Sequence, residues 1–182
     1  MPIFAPPKNL SLNALPLSGG AALIVAAARE VSSGLRFFRQ FMARIKVVLP
    51  ESFSVTVELP VRITDLNYGN HLGNDALVSL LHEARVQFLR QMQLMEFDPA
   101  TRQGLIMADL AVEYKGEGFY GDVLQVQMAA TDLHKYGFDV VYLVQTTTGR
   151  AIARAKTGML CFDYHARKLS SLPADAAARL SA

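Results

Sequence analysis

The sequence predicts an α+β domain in which one helix follows a single strand and precedes four more. Three observations carry that reading. Leu77, Leu80, Leu81, Ala84, Phe88, Met92 and Met95 recur at three- and four-residue intervals, which gathers them on one helix face. Val78, Val86 and Leu89 widen the stripe, so the helix is expected to be central and covered on more than one side. Ahead of it, residues 53–63 alternate Val55, Val57, Leu59, Val61 and Ile63 with Ser54, Thr56, Glu58 and Arg62, the pattern of a half-buried strand. Behind it come apolar, β-branched runs separated by short turns.

In chain order, residues 1–45 read as an N-terminal extension. Pro2, Pro6, Pro7, Pro16, Gly19 and Gly20 predict a loop or disordered lead. An alanine-rich run over residues 21–28 then passes into Arg29, Arg36, Arg39 and Arg44 interleaved with Phe37, Phe38 and Phe41, an amphipathic basic helix. The segment imitates a signal peptide poorly, because its proline-rich start carries one charge. The reading adopted is an extension dispensable for the fold, with the domain at 46–174 and a tail at 175–182.

Pro60 in the first strand argues for a sheet edge. The helix is expected to end before Asp98 and Pro99. Residues 105–114 are mostly apolar, as for a strand covered on both faces. Strands over 123–133 and 138–147 are joined by His134, Lys135, Tyr136 and Gly137 in a hairpin, and a last strand covers 151–164.

The chain has 182 residues, 51% of them hydrophobic, and a net charge of +2, which suits one folded domain and gives no electrostatic reason to expect nucleic acid. No apolar run is long enough to span a bilayer, so stable membrane insertion is not expected. Cys161 is the single cysteine; it excludes an internal disulfide, fits a reducing, cytoplasmic setting, and in its alternating run reads as a small buried hydrophobe. No metal and no cofactor are expected.

Chemistry concentrates between the first strand and the helix, in D-L-N-Y-G-N-H-L-G-N-D at residues 65–75. A polar loop that runs straight into a helix places its groups beside backbone N–H donors that have no partner within the helix. Such an end can hold a carbonyl oxygen gaining negative charge, and Gly73 permits close approach. The plainer alternatives are that Asn70 or Asn74 caps the helix, that Asp65 caps a turn, and that His71 braces the loop.

This run resembles the signature R-x-x-D-x-D-x-x-G-H-V-N-N-x-x-Y, followed by E-x-A-R, of the hot-dog-fold acyl-CoA thioesterases of the 4-hydroxybenzoyl-CoA thioesterase group. Arg62, Asp65, His71, Asn74, Glu83, Ala84 and Arg85 fall in register with it. Asn67 stands where many members carry a catalytic aspartate, while Asn70, Gly73 and Leu77 replace a glycine, an asparagine and a tyrosine.

The resemblance implies a hot-dog fold, a curved antiparallel sheet wrapped around the helix, in a homodimer or homotetramer. It implies hydrolysis of an acyl-CoA or acyl-carrier-protein thioester: amides around residues 70–74 polarise the carbonyl, Asp65 or Asp75 activates water, Asn67 or Asn74 positions it, and His71 binds substrate or braces the loop. Gly73, Lys135 and Tyr136 are the candidate contacts to coenzyme A, with Arg150 and Arg154 as further cations, and Glu83 and Arg85 form an expected ion pair. A non-hydrolytic acyl-CoA or carrier-protein binding module is the alternative favoured by Asn67, since an amide cannot accept a proton as a carboxylate does. A hydratase of the same fold ranks behind both.

Overall fold

The computed structural model describes residues 44–181. The expected N-terminal lead and basic helix, residues 1–43, lie outside them. The elements are strand β1 (Val55–Pro60), a 3-10 turn (Ile63–Asp65), helix α1 (Asn74–Gln91), strands β2 (Gln103–Tyr114), β3 (Val123–His134), β4 (Gly137–Thr146), β5 (Ala151–Asp163) and β6 (Lys168–Leu169), and helix α2 (Ala174–Leu180). All strand pairs are antiparallel, in the order β1-β3-β4-β5-β2, with β6 on β5.

Leu77, Leu80, Leu81, Ala84, Phe88 and Leu89 are buried along α1, as their spacing predicts. They share one apolar cluster with Val55, Val57 and Leu59 of β1 and with Leu124, Val126, Phe138, Val140 and Val144 of β3 and β4. The helix stops at Gln91, short of the expected end, because Gln93 turns left-handed at φ 55°. The Gln93 N–H donates to Arg90 O at 3.0 Å and the Leu94 N–H to Leu89 O at 2.7 Å, which satisfies terminal carbonyls of the helix. Met95 therefore falls off the stripe and is 60% exposed.

β1 buries alternate residues and forms one sheet edge, with Pro60 as its last residue, where a missing N–H costs no ladder bond. β2 departs from expectation. Among the described residues it is the opposite edge, paired only to β5, and neither face is fully covered; Met107 and Tyr114 are exposed and the register shifts between Met107 and Asp109. An apolar run therefore marks here an unpaired edge and not an interior strand.

The stretch expected as a tail at 175–182 contains most of α2, whose Ala176 and Leu180 are buried, Leu180 within the main cluster. Alanine favours the helix intrinsically, and the Arg179 Nε–H donates to Met92 O at 2.8 Å, tying α2 to the end of α1. Cys161 is buried, and burial pushes its thiol pKa up, so it is a poor nucleophile.

Glu83 and Arg85 do not pair. Two positions apart on a helix they point away from each other. Arg85 is buried with its Nε 2.7 Å from Glu96 Oε1, whereas Glu83 accepts from Gln87 at 2.8 Å. His82 is solvent-exposed, with Nε2 3.1 Å from Glu96 Oε2.

Candidate active site

The loop ahead of α1 is built from its own polar side chains. Asp65 anchors it: its carboxylate accepts from the Arg62 Nε and Nη2 at 3.0 and 2.9 Å and from the Arg62 backbone N–H at 2.8 Å. Asp65 is buried, and the Arg62 hydrogen bonds hold its carboxyl below the ordinary value of 3.8 against the opposing effect of burial. A bridge between Leu66 and Leu72 then closes the loop, with the Asn67 N–H donating to His71 O and the Gly73 N–H to Asp65 O, both at 2.9 Å.

Inside that bridge the Asn67 Oδ1 accepts the Gly69 N–H at 2.7 Å, an Asx turn, and Asn70 takes the left-handed φ of 60° that asparagine tolerates. His71 lies back over Asn67, its Nδ1 3.4 Å from both Asn67 Nδ2 and Leu72 O. The N-cap of α1 is Gly73, so neither Asn70 nor Asn74 caps the helix. A Cβ on Gly73 would stand 2.6 Å from Asp75 Oδ1, which explains a small residue there.

A second loop, residues 115–122, closes over this one. The Leu72 N–H donates to Gly118 O at 2.8 Å, and the Gly121 N–H to Val61 O at 3.2 Å. Between the two loops and α1 lies a cavity of about 260 Å³. Asn67, His71, Gly73, Asn74 and Glu117 supply its polar side, and Leu72, Leu77, Tyr114 and Ile152 its apolar side. Asp65 and Asp75 are not among its lining residues.

Of the amides at residues 70–74, three are already committed: Asn70 to Asn67 O, Leu72 to Gly118 O and Gly73 to Asp65 O. Those of His71 and Asn74 have no backbone partner among the described residues. Asn74 is the first residue of α1, where an N–H has no acceptor within the helix.

Lys135 and Tyr136 are not brought to this cavity. Tyr136 O and Lys135 O accept the N–H groups of Cys161 and Leu172, two residues that line a separate cavity of about 240 Å³ shared with Leu94 and Leu105 at the other end of α1. The Lys135 ammonium sits 5.1 Å above the Tyr136 ring. Arg150 does reach the cavity-side loop, donating to Glu117 O and to Asp122 Oδ2, the latter at 2.6 Å. Arg154, on β5, is not among the cavity's lining residues.

Glu117 is the charged lining residue that the sequence did not mark as part of the site. It sits in a glycine-flanked turn far along the chain from His71, and only the packing of the two loops joins them. Among the described residues no group of three His, Cys, Asp or Glu side chains could hold a metal ion. None of the described helices is long and apolar enough to cross a membrane.

Comparison with known proteins agrees with this architecture. The family model described as the thioesterase-like superfamily matches residues 61–180. No curated protein sequence matches the chain. Among solved structures, a 1,4-dihydroxy-2-naphthoyl-CoA thioesterase from Synechocystis is similar with a TM-score of 0.64 at 20% identity, over 69% of this chain and 94% of that one. A gentisyl-coenzyme A thioesterase superposes with a TM-score of 0.61 at 13% identity, over 69% and 99%. A Staphylococcus aureus protein in complex with CoA gives 0.64 at 13% identity, over 75% and 86%. The sheet order and buried helix are those of the hot-dog fold. With the family match running from the end of β1 to the end of α2, the chain belongs to the thioesterase-like superfamily.

Proposed function

We propose that the chain hydrolyses the thioester of an acyl-CoA-type substrate and falls in the 4-hydroxybenzoyl-CoA thioesterase group that its loop motif resembles. The observation that carries the reading is the cavity where Asn74, at the positive end of α1, meets Asn67 and His71 beside an apolar wall. Attack by water on a thioester moves charge onto the carbonyl oxygen, and fixed N–H donors stabilise that charge without reorganising. In this reading the Asn74 amide is the principal donor, Leu77, Tyr114 and Ile152 seat the acyl group, and Asp65, saturated by Arg62, braces the loop. Asp75 has no role in the step.

A CoA thioester is preferred over a carrier-protein one because similar folds include proteins named as CoA thioesterases and one solved with CoA. The open edge at β2 supports a homodimer, since pairing two such edges satisfies backbone groups that otherwise invite uncontrolled association. Asn67 supports the rival reading, a module that binds such thioesters without cleaving them. Incubating the full chain with a panel of acyl-CoAs while following free thiol separates the two. Thiol release saturating with substrate is expected; tight binding with no release at any acyl group sinks the hydrolase.

A further inference from the structure

We propose that Glu117 is the general base of this site and that Asn67 sets it up by fixing the tautomer of His71, an assignment that rests on the thioester-hydrolysis reading. The geometry begins with Asn67. A backbone N–H can only donate, so the atom 2.7 Å from the Gly69 nitrogen is the Asn67 amide oxygen. That leaves the Asn67 NH₂ facing His71 Nδ1 at 3.4 Å, where it donates. The Leu72 carbonyl at the same distance from Nδ1 pulls the other way. The Asn67 NH₂ has no lone pair to offer, so Nδ1 accepts from it and the ring proton stays on Nε2. Nε2 lies 4.0 Å from Glu117 Oε1, beyond hydrogen-bond distance, and its proton is on the side of that carboxylate.

Among the described residues Glu117 is the one carboxylate that lines the cavity. Asp65 is closed off by Arg62, and Asp75 is not among the residues that line the cavity. Its backbone is held in place because Arg150 donates to Glu117 O while gripping Asp122. Among the described residues the cations near it are already paired: Lys115 with Glu113 at 2.6 Å and Arg150 with Asp122 at 2.6 Å. A water between Glu117 and the thioester gives one proton to the carboxylate as its oxygen bonds to the carbonyl carbon and the C=O electron pair moves onto oxygen. When the adduct collapses the C–S bond breaks, and the proton on Glu117 passes to the departing sulfur. Acid and thiol are the products, and the base is restored.

The arrangement accounts for Asn67. A carboxylate in its place would draw the ring proton to Nδ1 and turn a bare Nε2 lone pair toward Glu117. The family motif places its own carboxylate where this chain has the amide, so the proton acceptor has moved from one loop to the other.

The test is steady-state hydrolysis of the best acyl-CoA from the panel by E117Q, E117A and wild type across pH. General-base contributions run to about 10²–10⁴-fold. A fall in kcat of at least about 10²-fold for E117Q with little change in KM is expected, with loss of the acid limb of the kcat–pH profile. Added formate is expected to restore part of the turnover of E117A, which a structural role would not produce. The Glu117 side chain is 63% exposed, so thermal midpoints of both variants should match wild type. If wild type cleaves acyl-CoA and E117Q keeps its rate and acid limb, the assignment is overturned and the hydrolase reading stands. If wild type releases no thiol from any acyl-CoA, both fall together.

Discussion

Arg62 and Asp65 meet in a two-point contact, Nε to Oδ2 at 3.0 Å and Nη2 to Oδ1 at 2.9 Å, and the Arg62 backbone N–H adds a third bond to Oδ2 at 2.8 Å. The carbonyl of the same Asp65 receives the Gly73 N–H. One residue thus holds both ends of the loop that shapes the cavity. Asp65→Ala is expected to lower stability by about 1–3 kcal/mol through stranded donors, and to reduce turnover by loosening the loop. Urea denaturation measures the first effect and thiol release the second.

The pH dependence of that contact has a definite sign. Hydrogen bonding to Arg62 holds the Asp65 carboxyl below its unfolded value near 3.8, so its contribution is complete above that value and is lost as pH falls through the lowered one. The gap in thermal midpoint between wild type and Asp65→Asn should be constant near neutrality and close below about pH 4. A gap unchanged down to the acid limit would show that the ion pair is not what stabilises the loop.

Gly73 has φ −66° and ψ 148°, angles any residue adopts, so its size and not its backbone freedom matters. The atom nearest an added methyl is Asp75 Oδ1, the end of a side chain free to swing away. Gly73→Ala is expected to cost less than about 1 kcal/mol of stability yet to lower kcat/KM about tenfold or more, because Gly73 lines the cavity beside Asn74 and fitting a methyl against Asp75 shifts that backbone. Combining it with Asp75→Ala should recover stability and leave activity low.

Arg85 is buried against Glu96, and His82 shares the same carboxylate. Burial would raise the Glu96 carboxyl, but hydrogen bonds from Arg85 and His82 outweigh it and hold the group below its ordinary value. Removing the guanidinium leaves a partly buried carboxylate without its main partner. Arg85→Ala should destabilise the fold by about 2–4 kcal/mol, read as a shift in denaturation midpoint.

Met107, 48% exposed on β2, lies on a strand that among the described residues has β5 on one side only. If two chains pair there, Met107→Lys places like charges at the seam and should convert dimer to monomer in light scattering, with loss of activity. A variant that stays dimeric would move the interface elsewhere.

Much of the fold follows from short-range pattern. Helix α1 and the alternation of β1 are each written in consecutive residues, since side-chain periodicity depends on local geometry alone. The motif around Asp65, His71 and Asn74 was equally legible, and three of the expected site residues besides Gly73, namely Asn67, His71 and Asn74, do share one cavity.

Partnership across distance was decided elsewhere. That apolar β2 runs along an open edge, that Arg85 turns to Glu96 and not to Glu83, and that α2 closes the core all depend on which surfaces meet once the chain is folded. So does the arrival of Glu117 beside His71, while Lys135 and Tyr136 end near the other cavity. By itself the sequence determined the helix, the strands and the polar loop that feeds the helix start. Only tertiary structure chose which carboxylate faces the cavity, because burial and hydrogen bonding between loops far apart in the chain decide which charges stay free to react.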